Sequence, residues 1–293
     1  MPSPPLSRRR LVGVSTKMYF SFARTTTYIS TLLKLLSDLP PETRKLLQHI
    51  DIFVIPDHIS LTSVISQLRH DSTVPVLPGA QDAFHEDVGA FTGEVSPTVL
   101  AEVGCRILEL GHAERRRFFG ETDNSTAKKA AAAARNGIIP LVCVGERTRP
   151  PPAAADADAS TVVSGPASSR EQGQGQHETL DTEAALEEIR VQVEAVLAAV
   201  PDAADVVLAY EPVWAIGAAA PASAAYVVAV ARAIRDFECV RRRPAGSTRI
   251  LYGGSAGPGL FESLKDAVDG LFLGRFAHDP EQFVKTILEV AAA

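Results

Sequence analysis

The sequence predicts an α/β fold, a single-domain (β/α)8 barrel, on three observations. Apolar runs of strand length recur eight times along the 293 residues, at 11–18, 50–57, 74–82, 105–113, 137–145, 204–212, 247–255 and 269–277. The segments between them carry the spacing of amphipathic helices. Runs such as "IDIFVIP", "IIPLVCVG" and "VVLAY" are almost continuously apolar, the pattern of parallel strands covered on both faces. Eight β-α units over a length near ~250 residues suit a closed barrel. An open sheet binding a dinucleotide would carry a glycine-rich turn after its first strand, and "VSTKMYF" has no glycine.

In chain order, residues 1–10, "MPSPPLSRRR", read as a flexible tail ahead of a barrel over 11–293. The tail has no apolar core behind its charges, so it does not read as a signal peptide. The first strand runs into Ser15, Thr16 and Lys17, and "TTTYISTLLKLLSDL" from Thr25 is the first helical segment. Ser96 before Pro97 is a helix start, residues Asp123 to Thr126 open the alanine-rich helix, and Gly137 closes it. After the fifth strand, residues 147–178 are rich in Pro, Ala, Ser, Gly and Gln and have little to bury, so they read as a low-complexity surface insertion, a spacer first and a lid at the active-site face second. Helical periodicity resumes in "LDTEAALEEIRVQVEAVLAAV" from Leu180, ahead of the last three strand runs.

Composition narrows the function. With 46% hydrophobic and 22% charged residues, the chain belongs with folded soluble enzymes and not with disordered or fibrous chains. The net charge of -6 and a single short basic run, Arg8 to Arg10, argue against a nucleic-acid surface. No apolar stretch approaches the ~20 residues that span a bilayer. The three cysteines, Cys105, Cys143 and Cys239, lack metal-ligand spacing and read as free thiols of a reducing compartment, so a cytoplasmic protein without metal or cofactor is expected.

In such a barrel the strand C-termini share one face, so polar residues far apart in sequence converge there. Strand one ends at Lys17, strand four at "ELGHAERR" with His112 and Glu114, and strand six at "AYEPVWAIG" with Glu211. Strand seven ends in "YGGS", Gly253 to Ser255, and strand eight in "FLGR", Gly274 and Arg275. Each residue alone has a plainer explanation: a strand-end lysine is usually solvated, and a lone histidine is usually structural. Together they form a carboxylate base, an imidazole, an ammonium and glycine turns suited to an anion, all at one end of the barrel. That set suits proton transfer next to a carbonyl in a phosphorylated substrate.

At these residues the chain resembles the triosephosphate isomerase family over nearly its whole length. "GHAERRRFFGETD" is similar to the family's histidine motif, "AYEPVWAIG" to its glutamate signature and closing loop, and "GAFTGEVSP" to its interface segment. "LVCVGE" and "LYGGS" agree. The resemblance implies a TIM barrel in which Glu211 moves a proton between adjacent carbons and His112 polarises the oxygens of an enediolate. Lys17 would then hold the anion, and Glu114 would tether the site. It further implies phosphate contacts at Gly217, Ser255, Gly253, Gly254 and Gly274. Cys143 would be a packed thiol. A homodimer is also implied, in which the loop Gln81 to Glu94, with Phe91, Thr92, Gly93 and Glu94, inserts beside the partner's first-strand lysine.

The departures from the family pattern bear on the substrate. Ser15-Thr16-Lys17 stands where asparagine-tryptophan-lysine is usual, and Ser15, placed among the substrate contacts, is shorter than the amide it replaces. Arg275 takes the place of a second glycine in the last phosphate turn. The closing loop reads "IGAAAPAS", with Ala219 at a hinge glycine, and Ala113 replaces a serine. With "ELGH" before the histidine, these features resemble a side branch acting on four-carbon ketose phosphates such as erythrulose phosphate. Three functions follow as expectations. The first is a triosephosphate isomerase of glycolysis and gluconeogenesis, interconverting dihydroxyacetone phosphate and glyceraldehyde 3-phosphate. The second is the same mechanism on a four-carbon ketose phosphate, and the third a non-catalytic sugar-phosphate-binding barrel.

Overall fold

The computed structural model describes residues 9–70, 73–151, 181–216 and 222–293. Eight parallel strands, β1 (Arg10–Ser15), β2 (Ile50–Ile55), β3 (Val76–Gln81), β4 (Ile107–Leu110), β5 (Ile139–Val144), β6 (Val206–Tyr210), β7 (Thr248–Tyr252) and β8 (Gly270–Leu273), close into a barrel in sequence order. Closure is made by β8 against β1, with Leu11 opposite Gly270 and Val14 opposite Leu273. All eight expected strands are present, each shorter than its apolar run, because the runs continue into the packed turns at the strand ends.

The continuous apolarity has a direct cause. Alternate residues of each strand enter two different cores. Leu11, Phe53, Ile55, Ile107, Leu141, Val207, Leu251 and Phe272 fill the barrel interior. Val12, Val14, Ile52, Val54, Leu108, Val142, Leu208 and Ile250 face the surrounding helices. The interior is packed and is not a pore: a Cβ on Gly13 would lie 2.3 Å from the Phe53 ring, so only glycine admits that aromatic side chain.

Helix starts follow local chemistry. Ser96 accepts a hydrogen bond from the Val99 amide ahead of Pro97–Val103, as its sequence position predicts. The alanine-rich helix Asp123–Arg135 is capped one residue earlier than its sequence indicates, by Thr122 in a reciprocal box with Ser125. Gly137 at φ 69° follows the Asn136 cap and turns the chain into β5.

Two boundaries differ from expectation. β1 already includes Arg10, and Arg9 hydrogen-bonds Asp51 at 2.6 Å and the Ile50 carbonyl at 2.9 Å, so the last two residues assigned to the tail are tied to the barrel. Arg147, the first residue assigned to the insertion, pairs with Glu188, and the amide of Asp181 donates to the carbonyl of Pro151 at 2.9 Å. The rest of the expected insertion lies outside the described residues, as do residues 1–8. Among the described residues no helix is long and apolar enough to cross a membrane.

Candidate active site

The strand C-termini surround a cavity of about 600 Å3. Ser15, Lys17, Glu109, His112, Glu114, Glu211, Gly253, Gly254, Ser255, Gly274 and Arg275 line it, together with Tyr19 and His278. Residues from β1, β4, β6, β7 and β8 therefore meet in one place. Gly217 lies outside the described residues, as do Ala219 and the rest of 217–221.

Lys17 is built into the site at a backbone cost. Its φ of 48° is left-handed, shared among described non-glycine residues only with Asp82. Gln81 from β3 holds this conformation by donating Nε2 to the Lys17 carbonyl at 3.0 Å. The ammonium then reaches Glu114 Oε1 at 2.9 Å. Burial pulls the Lys17 pKa down, but the Glu114 hydrogen bond and the charges of Glu114, Glu211 and Glu109 outweigh it, so the amine stays protonated. The Glu114 carboxyl, pushed up by burial, is held below its ordinary value by Lys17 and His112.

His112 caps the helix Ala113–Phe119, and its Nδ1 accepts the Glu114 amide proton at 3.1 Å. An accepting Nδ1 carries no proton, so the ring is neutral and its hydrogen sits on Nε2, the nitrogen that faces Glu211. Burial, then the Lys17 charge, lower the His112 pKa to about 4. This imidazole is therefore neutral, with Nε2–H available as a hydrogen-bond donor.

Glu211 is the first residue after β6. Its amide donates to the Val144 carbonyl at 2.8 Å, and its carboxyl is buried, with Oε1 3.8 Å from Cys143 Sγ and Oε2 3.5 Å from His112 Nε2. Oε2 has no hydrogen-bond partner among the described residues. Burial pushes its pKa up to about 8; Lys17 pulls it down and Glu109 pushes it higher. A desolvated carboxyl, free on one oxygen and facing the cavity, is the arrangement of a strong general base. A Cβ on Gly253 would lie 2.7 Å from Glu211 Cγ and Oε1, so this glycine supplies clearance for the carboxylate. Its own amide is already bonded to the Tyr210 carbonyl.

Other groups were not assigned roles from sequence. Glu109, in β4, is 6% exposed and accepts a hydrogen bond from Ser15 Oγ at 2.8 Å. His278 donates Nε2 to the Ser15 carbonyl at 3.1 Å and packs against Tyr19 and Phe20. Glu146 Oε1 accepts from Trp214 Nε1 at 2.6 Å, Tyr226 hydroxyl at 2.9 Å and Tyr210 hydroxyl at 3.3 Å, joining the residues on either side of 217–221. Glu109 had a legible signal, a lone charge inside the buried strand "ILEL"; the contacts of His278 and Glu146 depend on partners far away in sequence.

The loop Gln81 to Glu94 stands beside this mouth, with Phe91, Thr92, Gly93 and Glu94 exposed. Asp82 anchors its base through Lys129 at 2.7 Å and Arg115 at 2.7 Å.

A barrel whose mouth joins a buried carboxylate, a neutral imidazole and an ammonium holds the groups that acid–base chemistry on a small anion requires. Comparison with known proteins gives the group more narrowly. A family model described as triosephosphate isomerase matches residues 10–164 and 174–290. The chain is 41% identical over 280 residues to L-erythrulose-1-phosphate isomerase of Pectobacterium atrosepticum, covering 94% of each chain. It is 35% identical over 283 residues to triosephosphate isomerase of Aquifex aeolicus, covering 95% of this chain and 98% of that one. A second L-erythrulose-1-phosphate isomerase, from Rhizobium etli, is 35% identical over 289 residues, covering 96% of this chain and 92% of that one. The chain belongs to the triosephosphate isomerase family and is an isomerase. The expectation of a non-catalytic barrel is set aside.

Proposed function

We propose that this isomerase acts on a four-carbon 2-ketose 1-phosphate of the erythrulose type. The observation that carries the choice of substrate is the 41% identity, over 94% of both chains, to a protein named for that activity. The site is compatible with it: Ser15, a short side chain, is part of the cavity lining. Glu211 removes the proton on C3, and His112 Nε2–H stabilises the oxygens of the C2–C3 enediolate while Lys17 balances its charge. The proton returns to C2. C3 is oxidised and C2 reduced, so no outside oxidant or reductant is needed. Because C3 carries carbon on both sides, the product is again a ketose phosphate; with a triose phosphate the same shift would give an aldose.

The triose reading has its own support in the family match and the Aquifex relative. Wild-type protein given L-erythrulose 1-phosphate and dihydroxyacetone phosphate side by side separates the two. We expect kcat/KM to favour the tetrulose by ~100-fold or more, the scale at which a site reads one extra group. A preference for the triose would overturn the proposal.

Arg275 lines the cavity beside Gly274 and is exposed, with Gly254 and Ser255 among its neighbours in the wall, so it serves the substrate phosphate as a cation. Replacing Arg275 by glycine should then raise KM by ~10-fold with a smaller change in kcat, the signature of binding shared by ground and transition states. An unchanged KM would place the guanidinium in solvent.

A homodimer completes the proposal. Met18, Val88 and Ile59, 95%, 89% and 84% exposed, lie in the loops after β1, β3 and β2 at the same mouth, an apolar group that a second copy would cover. Light scattering should return twice the chain mass, and a monomer at micromolar concentration would exclude it.

A further inference from the structure

The interior wall of this barrel is apolar at Leu11, Phe53, Ile55, Ile107, Leu141, Val207, Leu251 and Phe272, yet β4 places a carboxyl group there two residues after Ile107. Glu109 is buried, faces the cavity and has no lysine, arginine or histidine within ion-pair distance among the described residues. Lys17, the nearby cation, is bonded to Glu114 instead. Ser15 Oγ supplies the only hydrogen bond to the Glu109 side chain among the described residues. A buried carboxyl with one neutral partner is unfavourable unless something else donates to it, and the cavity is the side from which a donor can come.

The proton shift uses Glu211, His112 and Lys17 and leaves Glu109 without a task. Position gives it one. In an eight-strand ring β4 lies opposite β8, so Glu109 stands across the cavity from Gly274 and Arg275. A substrate with its phosphate at the β7–β8 turns directs its far end toward β4. A triose phosphate ends there at a reacting carbon. A four-carbon ketose phosphate adds a hydroxymethyl group whose O–H is a donor without a partner. Ser15 gives its own proton to Glu109 and accepts from the Lys17 amide at 3.4 Å, which fixes the hydroxyl beside the carboxyl.

We infer that Glu109, positioned by Ser15, is a specificity-determining residue that accepts a hydrogen bond from the terminal hydroxymethyl group of a four-carbon ketose phosphate. The inference rests on the four-carbon reading proposed above. A site that hydrogen-bonds a substrate hydroxyl rejects the analogue lacking it, because its buried polar group is then left unpaired.

The test measures kcat/KM for L-erythrulose 1-phosphate and dihydroxyacetone phosphate in wild type, Glu109→Leu and Glu109→Gln, with thermal melts to confirm folding. The readout is the ratio of the two substrates. Glu109→Leu should lower the tetrulose-to-triose ratio by ~100-fold, and Glu109→Gln, which keeps an acceptor oxygen and the shape, by roughly 10-fold. Glutamine is close to isosteric, so it carries the test if leucine does not fold. An equal fall on both substrates would mean that Glu109 acts through Glu211 or the scaffold and would overturn the assignment, as would an unchanged ratio. Wild-type data separate the two ways of failing. If wild type prefers the triose, the four-carbon reading falls and this inference with it; if wild type prefers the tetrulose and the ratio survives substitution, the Glu109 assignment falls alone.

Discussion

Glu211→Gln should abolish isomerisation of whichever phosphate is used, lowering kcat by ~10^3-fold or more while the barrel stays folded. Glutamine has the shape of glutamate, so the space between Cys143, His112 and Gly253 remains filled. The backbone of residue 211 is held independently of its side chain, through its amide on Val144 and its carbonyl against Gly145, where a Cβ would lie 1.8 Å from the Glu211 oxygen. What disappears is the ability to accept a proton. Since the carboxyl is desolvated, its replacement by a neutral amide should leave the melting temperature unchanged or slightly raised. Turnover near the wild-type rate in a folded variant would remove Glu211 from the mechanism. With Glu211 as the proposed base, the same group should set the acid limb of the pH profile in wild type. A base must be ionised to act, and this one has a pKa pushed up to about 8 by burial, so kcat/KM should rise with pH and level off above that value.

Lys17→Met should lower kcat/KM by ~10^2–10^3-fold, the cost of removing one preorganised group that stabilises developing negative charge. It carries a second, signed consequence. Lys17 lowers the Glu211 pKa, so without the ammonium the carboxyl is harder to ionise, and the acid limb should move to higher pH. A pH–rate profile of the variant checks both parts; an acid limb displaced to lower pH would show that Lys17 does not act electrostatically on Glu211. Methionine keeps an unbranched stem in the left-handed position where residue 17 sits, so a loss of activity can be separated from a loss of fold by thermal melting.

The fold was legible because its signal is repetitive. Each strand buries both faces, so each appears as an uninterrupted apolar run, and eight runs report the eight strands independently of one another. Boundaries were less legible. Thr122 caps its helix by exchanging hydrogen bonds with Ser125, while the acidic residue that follows draws the eye to 123. Arg10 belongs to β1 because its guanidinium bonds the Lys265 and Val268 carbonyls, more than 250 residues away, and no local pattern records that.

By itself the sequence determined the barrel and the convergence of Lys17, His112, Glu114 and Glu211 on one cavity at its mouth, since strand ends in this architecture converge whatever lies between them. Only the tertiary structure decided the states of those groups. A pKa depends on burial and on neighbours in space, so the neutral ring of His112, set by the Glu114 amide, and the raised carboxyl of Glu211 have no counterpart in composition or spacing. The same holds for Ser15 and Glu109, 94 residues apart in the chain and 2.8 Å apart in the barrel. Separately they are a short residue at a strand end and the first letter of "ELGH". Closure of β1 and β4 into one ring makes them a polar pair facing the cavity, because the interior of a barrel is shared by strands that never pair with each other.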